Sequence, residues 1–169
     1  MFRRLRAVAP SLLVPLAWAF VIAAHRTVVT RHTLFMAHVV MALLLAGFAV
    51  TGRADMREGL LHVWWSIIAA GLIVTLFGAV GFHVDVAGTA LLGVALGGWM
   101  LLPAVGFVYT GRRVERGAWV YFGGTGGCLV GVALYTVGFV TVDPTVQTVG
   151  LALVGVGQTA GILDAVLRY

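Results

Sequence analysis

Apolar residues run through this chain in blocks, and short polar stretches separate the blocks. Residues 7–24, 33–51, 60–82, 87–110, 118–142 and 145–167 are almost free of charge. Most of these blocks reach the ~20 residues that a helix needs to cross a hydrocarbon core. None shows the strict apolar–polar alternation of a barrel strand. In lipid only helices and closed barrels satisfy their own backbone. The pattern therefore predicts an all-α, polytopic membrane helical bundle of six transmembrane helices. Asp143-Pro144 reads as a helix start, with aspartate as N-cap and proline at the first helical position. Pro15 and Pro103 fall inside blocks, where each frees one carbonyl and favours a bend.

The first block is the shortest. It follows a basic head of Arg3, Arg4 and Arg6 and carries Ala17 and Ala19 at the spacing of a signal cleavage site. Pro10 and Pro15 interrupt the apolar core that a signal needs. Removing the block would also leave the repeat described next with an unpaired half, so a retained first helix is expected.

Gly47-Phe48-Ala49-Val50-Thr51-Gly52-Arg53 returns as Gly106-Phe107-Val108-Tyr109-Thr110-Gly111-Arg112, a step of 59 residues. Val80-Gly81-Phe82 returns as Val137-Gly138-Phe139, a step of 57. Two helices per step give three parallel two-helix hairpin repeats, about 7–51, 60–110 and 118–167, in a single integral membrane domain covering 1–169. A two-helix unit returns to its own side, so its copies relate by an axis along the membrane normal.

Composition supports the same picture. The chain is 61% hydrophobic and 10% charged, with mean hydropathy +1.04, where a soluble domain carries about 25% charged residues. The lipid bilayer is then the first partner. Every base is arginine, the formal charge is +5, and the pI is 10.4. The arginines sit in short loops between apolar blocks, which is the distribution of a membrane face and argues against nucleic acid. Only Arg26 and Arg31 lie on one side; the head, the loops at 52–59 and 111–117 and the tail hold the rest. Positive residues stay inside, so both termini are expected in the cytoplasm of a cell-membrane protein. Arg53 and Arg112 each follow a Thr-Gly corner. There a cation meets the negative end of the helix dipole and anionic headgroups on the cytoplasmic face. Glycine at that corner is expected to turn with positive φ. Their predicted role is structural, setting hairpin register and depth.

Glycine numbers 23. Gly123, Gly127 and Gly131 form a small-residue ridge on the fifth helix, with shorter ridges at Gly93/Gly97 and Gly157/Gly161. In lipid such ridges let backbones approach closely. Packing within the bundle is the first reading and a homo-oligomer seam the second. Trp18 and Trp99 fall mid-span and read as core. Trp64, Trp65, Trp119 and Tyr109 read as interfacial anchors.

Few residues could carry chemistry. His25, His32, His38 and His83 gather toward the outer side, and His25 and His83 end equivalent helices. His38, His25 and His83 are the candidates for a haem or metal ligand; interfacial polarity and helix–helix hydrogen bonding are the plainer account. His38 is kept because it lies within a span. Asp164 is the one acid inside a block. An i,i+4 pair with Arg168 explains it, and a polar transport path with Gln158 and Thr125 is the alternative. The single Cys128 lies in an apolar block and has no disulfide partner in the chain. Gly123 to Gly127 lacks the lysine of a phosphate loop. Ser11 and Ser66 are the only serines, and neither has a triad around it, so enzyme activity is unsupported. The tryptophan-headed, glycine-rich hairpins resemble small multi-span stress-related membrane proteins of the HdeD type. The histidine-bearing second helix resembles haem-binding oxidase-like membrane proteins. No residue role is taken from either resemblance. The sequence thus reads as a small multi-span membrane protein of structural or accessory type. A small transporter or channel, or a haem- or metal-binding redox protein, stands as the alternative.

Overall fold

A computed structural model describes the backbone of residues 2–168 and the side chains of residues 12–167. It contains six helices: α1 (Phe2–His25), α2 (Arg31–Gly52), α3 (Gly59–Gly81), α4 (Gly88–Gly111), α5 (Ala118–Val140) and α6 (Pro144–Arg168). No strand occurs among the described residues. Helices α2 to α6 are long and apolar enough to cross a membrane, and Leu12–His25 is the apolar part of α1 among the described residues. This architecture is compatible with a multi-pass membrane protein. The side chains of Arg3, Arg4, Arg6 and Arg168 lie outside the described residues, and with them the basic head and the expected Asp164–Arg168 pair.

Local chemistry sets the ends. The Thr30 hydroxyl accepts the Thr33 amide at 3.2 Å, so α2 begins at Arg31, and His32 lies in its first turn rather than in a loop. Asp143 caps α6 as expected, its Oδ1 accepting the amides of Thr145 at 2.8 Å and Val146 at 3.1 Å. Inside the helices, hydroxyls donate to the carbonyl four residues back: Thr75 to Gly71, Thr125 to Tyr121, Thr136 to Val132. A hydroxyl tied down in this way can be carried through an apolar span.

The expected positive-φ corners at Gly52 and Gly111 are not found. Both residues finish their helices in ordinary helical geometry, and the left-handed glycines are Gly59 (φ +61°) and Gly117 (φ +77°), at the far end of the same two loops. The loops therefore turn on entering α3 and α5, not on leaving α2 and α4. Space accounts for the earlier glycines. A methyl group on Gly52 would lie 3.3 Å from Met56 Sδ, and one on Gly111 would lie 3.2–3.3 Å from Phe122 and Tyr121.

Two other corners place β-branched residues where glycine is usual. After α1, the Val28 amide donates to Ala23 O and the Thr27 amide to Ala24 O. After α5, the Asp143 amide donates to Gly138 O and the Val142 amide to Phe139 O. Both are Schellman motifs whose left-handed residues are Thr27 (φ +59°) and Val142 (φ +56°). That conformation costs an L-residue about 1–2 kcal/mol. Val142 is 82% exposed and so has little packing to lose. Val142→Gly is expected to raise stability by about 0.5–1 kcal/mol, the relieved strain being partly offset by glycine's greater freedom when unfolded. Denaturation in mixed detergent micelles should show the rise; an unchanged or lower midpoint would refute it.

The chain divides into two compact units. One comprises Met1–Val28 with Phe107–Tyr169; the other is Val29–Gly106. In the first unit, α1 and α5 both pack on α6. The α5–α6 contact is backbone against backbone. A methyl on Gly124 would lie 2.8 Å from Gly157 O, one on Gly131 2.6 Å from Gly150 O, and one on Gly138 2.5 Å from the Gln147 amide. Gly127 also faces α6, 3.2 Å from Leu153 O by the same measure, but around a methyl on Gly123 no described residue of another helix lies within 4 Å. The ridge is thus Gly124, Gly127 and Gly131. At 3.6 residues per turn, steps of three and four alternate about a straight line, whereas the expected 123/127/131 series drifts about 80° around the helix. Phe107, fully buried, packs against Tyr121 and fills the space left by Gly161.

In the second unit, α2 packs on α3, and glycines of α3 and α4 receive large side chains. Gly71 lies under the Trp99 ring, Gly78 under His38 and Ala95, Gly98 against Val74, and Gly106 against Ile67 and Trp64. Around a methyl on Gly93 or Gly97 no described residue of another helix lies within 4 Å. The two helices of the first expected hairpin belong to different units: α1 packs on α6, and α2 on α3.

Candidate functional site

Several polar side chains inside the helices form pairs that join one helix to another. In the first unit the Trp18 indole donates to Gln158 Oε1 at 2.9 Å, and Gln158 Nε2 reaches Cys128 Sγ at 3.8 Å. Gln158 is 4% exposed, so α6 holds α1 on one side and α5 on the other through one buried amide. Gln158 and Asp164 are six residues apart, which puts them about 120° apart around α6. Asp164 is half-buried in the last turns of that helix. The Thr125 hydroxyl is turned back to Tyr121 O at 3.0 Å.

His25 ends α1. Its Nδ1 lies 2.9 Å from Val21 O, and a carbonyl only accepts, so Nδ1 carries the proton. In the neutral ring Nε2 then accepts from the Tyr135 hydroxyl of α5, at 3.0 Å. The two rings meet edge to face at 5.5 Å. Both nitrogens are engaged, which leaves no lone pair for a metal.

In the second unit, His38 and His83 border one aromatic cluster where α2 begins and α3 ends. His38 Nδ1 donates to Leu34 O at 2.9 Å, and its ring meets Phe82 edge-on at 5.2 Å. Phe35 meets Phe82 at 6.2 Å and His83 at 4.7 Å. Arg31 closes the cluster: its Nη2 donates to Phe82 O at 2.8 Å, and its guanidinium carbon lies 5.9 Å from the Phe82 ring centre. The Phe82 carbonyl is at the C-terminus of α3, where a cation is favoured. A shallow, open recess of about 250 Å³ is lined by Arg31, His32, Phe35, Phe82 and His83. No group of three or more metal-ligating side chains occurs among the described residues. Elsewhere in the unit, the Trp99 indole donates to the Thr75 hydroxyl at 2.9 Å, and the Trp65 indole to Ala49 O at 2.9 Å.

Arg53 and Arg112 are exposed just past the ends of α2 and α4. The Arg113 guanidinium carbon lies over the Tyr109 ring, 3.6 Å from its centre. Sequence reasoning singled out the histidines and Gln158 but not their partners. Tyr135 is 110 residues from His25, and Trp18 is 140 from Gln158, so no local spacing signals either pair. Arg31, Phe35 and Phe82 were likewise not predicted to form a recess with the histidines. No family model, curated protein or solved structure matches the chain.

Proposed function

We propose that this is a small integral membrane protein of structural or accessory type, lying in the cell membrane with both termini in the cytoplasm. The observation that carries this reading is that Gln158, Thr75 and His25, polar side chains of the spans, are spent on their own and neighbouring helices. Gln158 joins Trp18 and Cys128, Thr75 joins Trp99 and Gly71, and His25 joins Val21 and Tyr135. A transport path needs such groups turned toward a passage, and an axial haem ligand needs a free imidazole nitrogen. Gln158 and His25 are engaged instead. The arginine bias supports the orientation. Exposed Arg53 and Arg112 suit anionic headgroups on the cytoplasmic face, each nearby arginine adding about 1 kcal/mol of attraction. The returning Gly-Phe-x-x-Thr-Gly-Arg stretch supports a parallel hairpin repeat.

Two measurements test the proposal. Single cysteines replacing Glu115 and Val86, both exposed, are expected to label from opposite sides, Glu115 from the cytoplasm. Labelling from one side would overturn the topology. The purified protein is expected to lack a Soret band, and reconstituted protein to pass neither protons nor small cations. A haem spectrum or a sustained flux would replace the accessory reading with the redox or the transport one.

A further inference from the structure

We propose that the recess between the start of α2 and the end of α3 binds the phosphate of an anionic phospholipid headgroup. The inference rests on the membrane placement of these two helices. Three observations lead to it.

The first is charge. Arg31 and His32 line the recess from α2 and His83 from just past the end of α3, and among the described residues no carboxylate lines it. Arg31 spends one bond on Phe82 O, which holds the guanidinium at the mouth and leaves further N–H donors of its fork for a ligand. A guanidinium fixed in this way matches phosphate oxygens in geometry as well as charge. The first turn of α2 adds the positive end of its dipole.

The second is depth. Arg31 opens the span Arg31–Gly52, and Phe82 follows the span Gly59–Gly81. The recess therefore lies where the apolar helices stop, which is the level of headgroups.

The third is the apolar continuation. Phe35 and Phe82 supply the aromatic part of the lining. Beyond the recess, His32 is followed at helical spacing by Met36, Val40 and Leu43, which are 43%, 54% and 69% exposed. A lipid fits both parts: its phosphate against the Arg31 guanidinium and the imidazoles of His32 and His83, and an acyl chain along the α2 stripe. Free phosphate would use only the first.

The test uses the full chain in a nonionic detergent, titrated with phosphatidylglycerol, phosphatidylcholine or inorganic phosphate and read by native mass spectrometry. Phosphatidylglycerol is expected to bind in preference to phosphatidylcholine, and inorganic phosphate not to compete with it. Arg31→Gln should weaken phosphatidylglycerol by at least about tenfold, the scale of one lost charge-assisted hydrogen bond. The pair His32→Gln with His83→Gln should also weaken it while keeping the Arg31–Phe82 contact, so the test survives if Arg31→Gln misfolds. Equal affinity for wild type and the histidine pair would overturn the proposal, as would equal binding of the two lipids. Competition by inorganic phosphate would assign the recess to a free anion and overturn the lipid. These readings do not depend on which side of a membrane the recess faces or on any transport or haem chemistry.

Discussion

Gly150→Val is expected to force α5 and α6 apart and to cause a large loss of stability. A methyl group at Gly150 would lie 2.6 Å from both Gly131 O and the Tyr135 amide nitrogen. Both are backbone atoms and cannot swing aside as a flexible side chain could. Overpacking of a close interface costs about 1–3 kcal/mol, and the absence of a yielding neighbour puts this site at the upper end. Lipid sharpens the effect. Helices there gain little from hiding apolar surface from one another, so close van der Waals contact and Cα–H···O contacts supply much of the attraction. Gly123→Ala and Gly126→Ala are the controls. Among the described residues nothing on another helix lies within 4 Å of either added methyl, and alanine is the better helix former by about 1 kcal/mol. Unfolding in mixed micelles, followed by tryptophan fluorescence, should separate the two classes. If Gly150→Val unfolds at the wild-type midpoint, the α5–α6 interface is not as close as described.

Gly78→Ala is expected to cost about 1–3 kcal/mol, and His38→Ala in the same molecule is expected to recover part of it. The added methyl would lie 2.6 Å from His38 Cδ2, 2.7 Å from Nε2 and 2.9 Å from Ala95 Cβ. The imidazole cannot easily retreat, because Nδ1 is held by Leu34 O and the ring rests on Phe82. Recovery will be incomplete, since the contact with Ala95 remains. The double-mutant cycle isolates the pair: a coupling energy near zero would mean that His38 does not lie over Gly78. The outcome also bears on His38 as a ligand candidate, because a ring set on Gly78 between α2 and α3 is a packing element whose loss shows in stability.

Two kinds of close contact recur. A glycine on one helix receives either the backbone of the next or a large ring, while Gly98 and Gly106 receive the aliphatic side chains of Val74 and Ile67. Trp99 over Gly71, His38 over Gly78 and Phe107 over Gly161 are ring-on-glycine contacts; Gly124 with Gly157 and Gly131 with Gly150 are backbone contacts. Trp18 beside Gly155 and Trp99 over Gly71 also send their indole N–H to a polar group, Gln158 and Thr75. Each such pair combines packing with a satisfied donor in a medium where an unpaired one costs several kcal/mol.

How much of this was legible in the sequence follows from the range of the forces involved. Block length and charge spacing are local. They determined an all-helical, membrane-compatible chain of six helices, with boundaries close to those found at α3, α4 and α6. The Asp143 cap was equally plain, because donor and acceptor lie within three residues. The left-handed residues were not. Nothing in Thr27 or Val142 announces a Schellman corner, and the glycines that do turn, Gly59 and Gly117, stand at the opposite ends of their loops from the repeated Thr-Gly-Arg. Only the tertiary structure decided which glycines touch. Gly123 and Gly124 are neighbours in an equally glycine-rich stretch, and a rotation of one residue about α5 separates open space from the Gly157 carbonyl. It also decided that His25 finds Tyr135, that Gln158 finds Trp18, and that Arg31 finds the end of α3. A chain whose helices are apolar all round carries no amphipathic stripe to point each face at its partner. The choice of partner passes to shape and to single polar pairs, and these become visible only when the helices are packed.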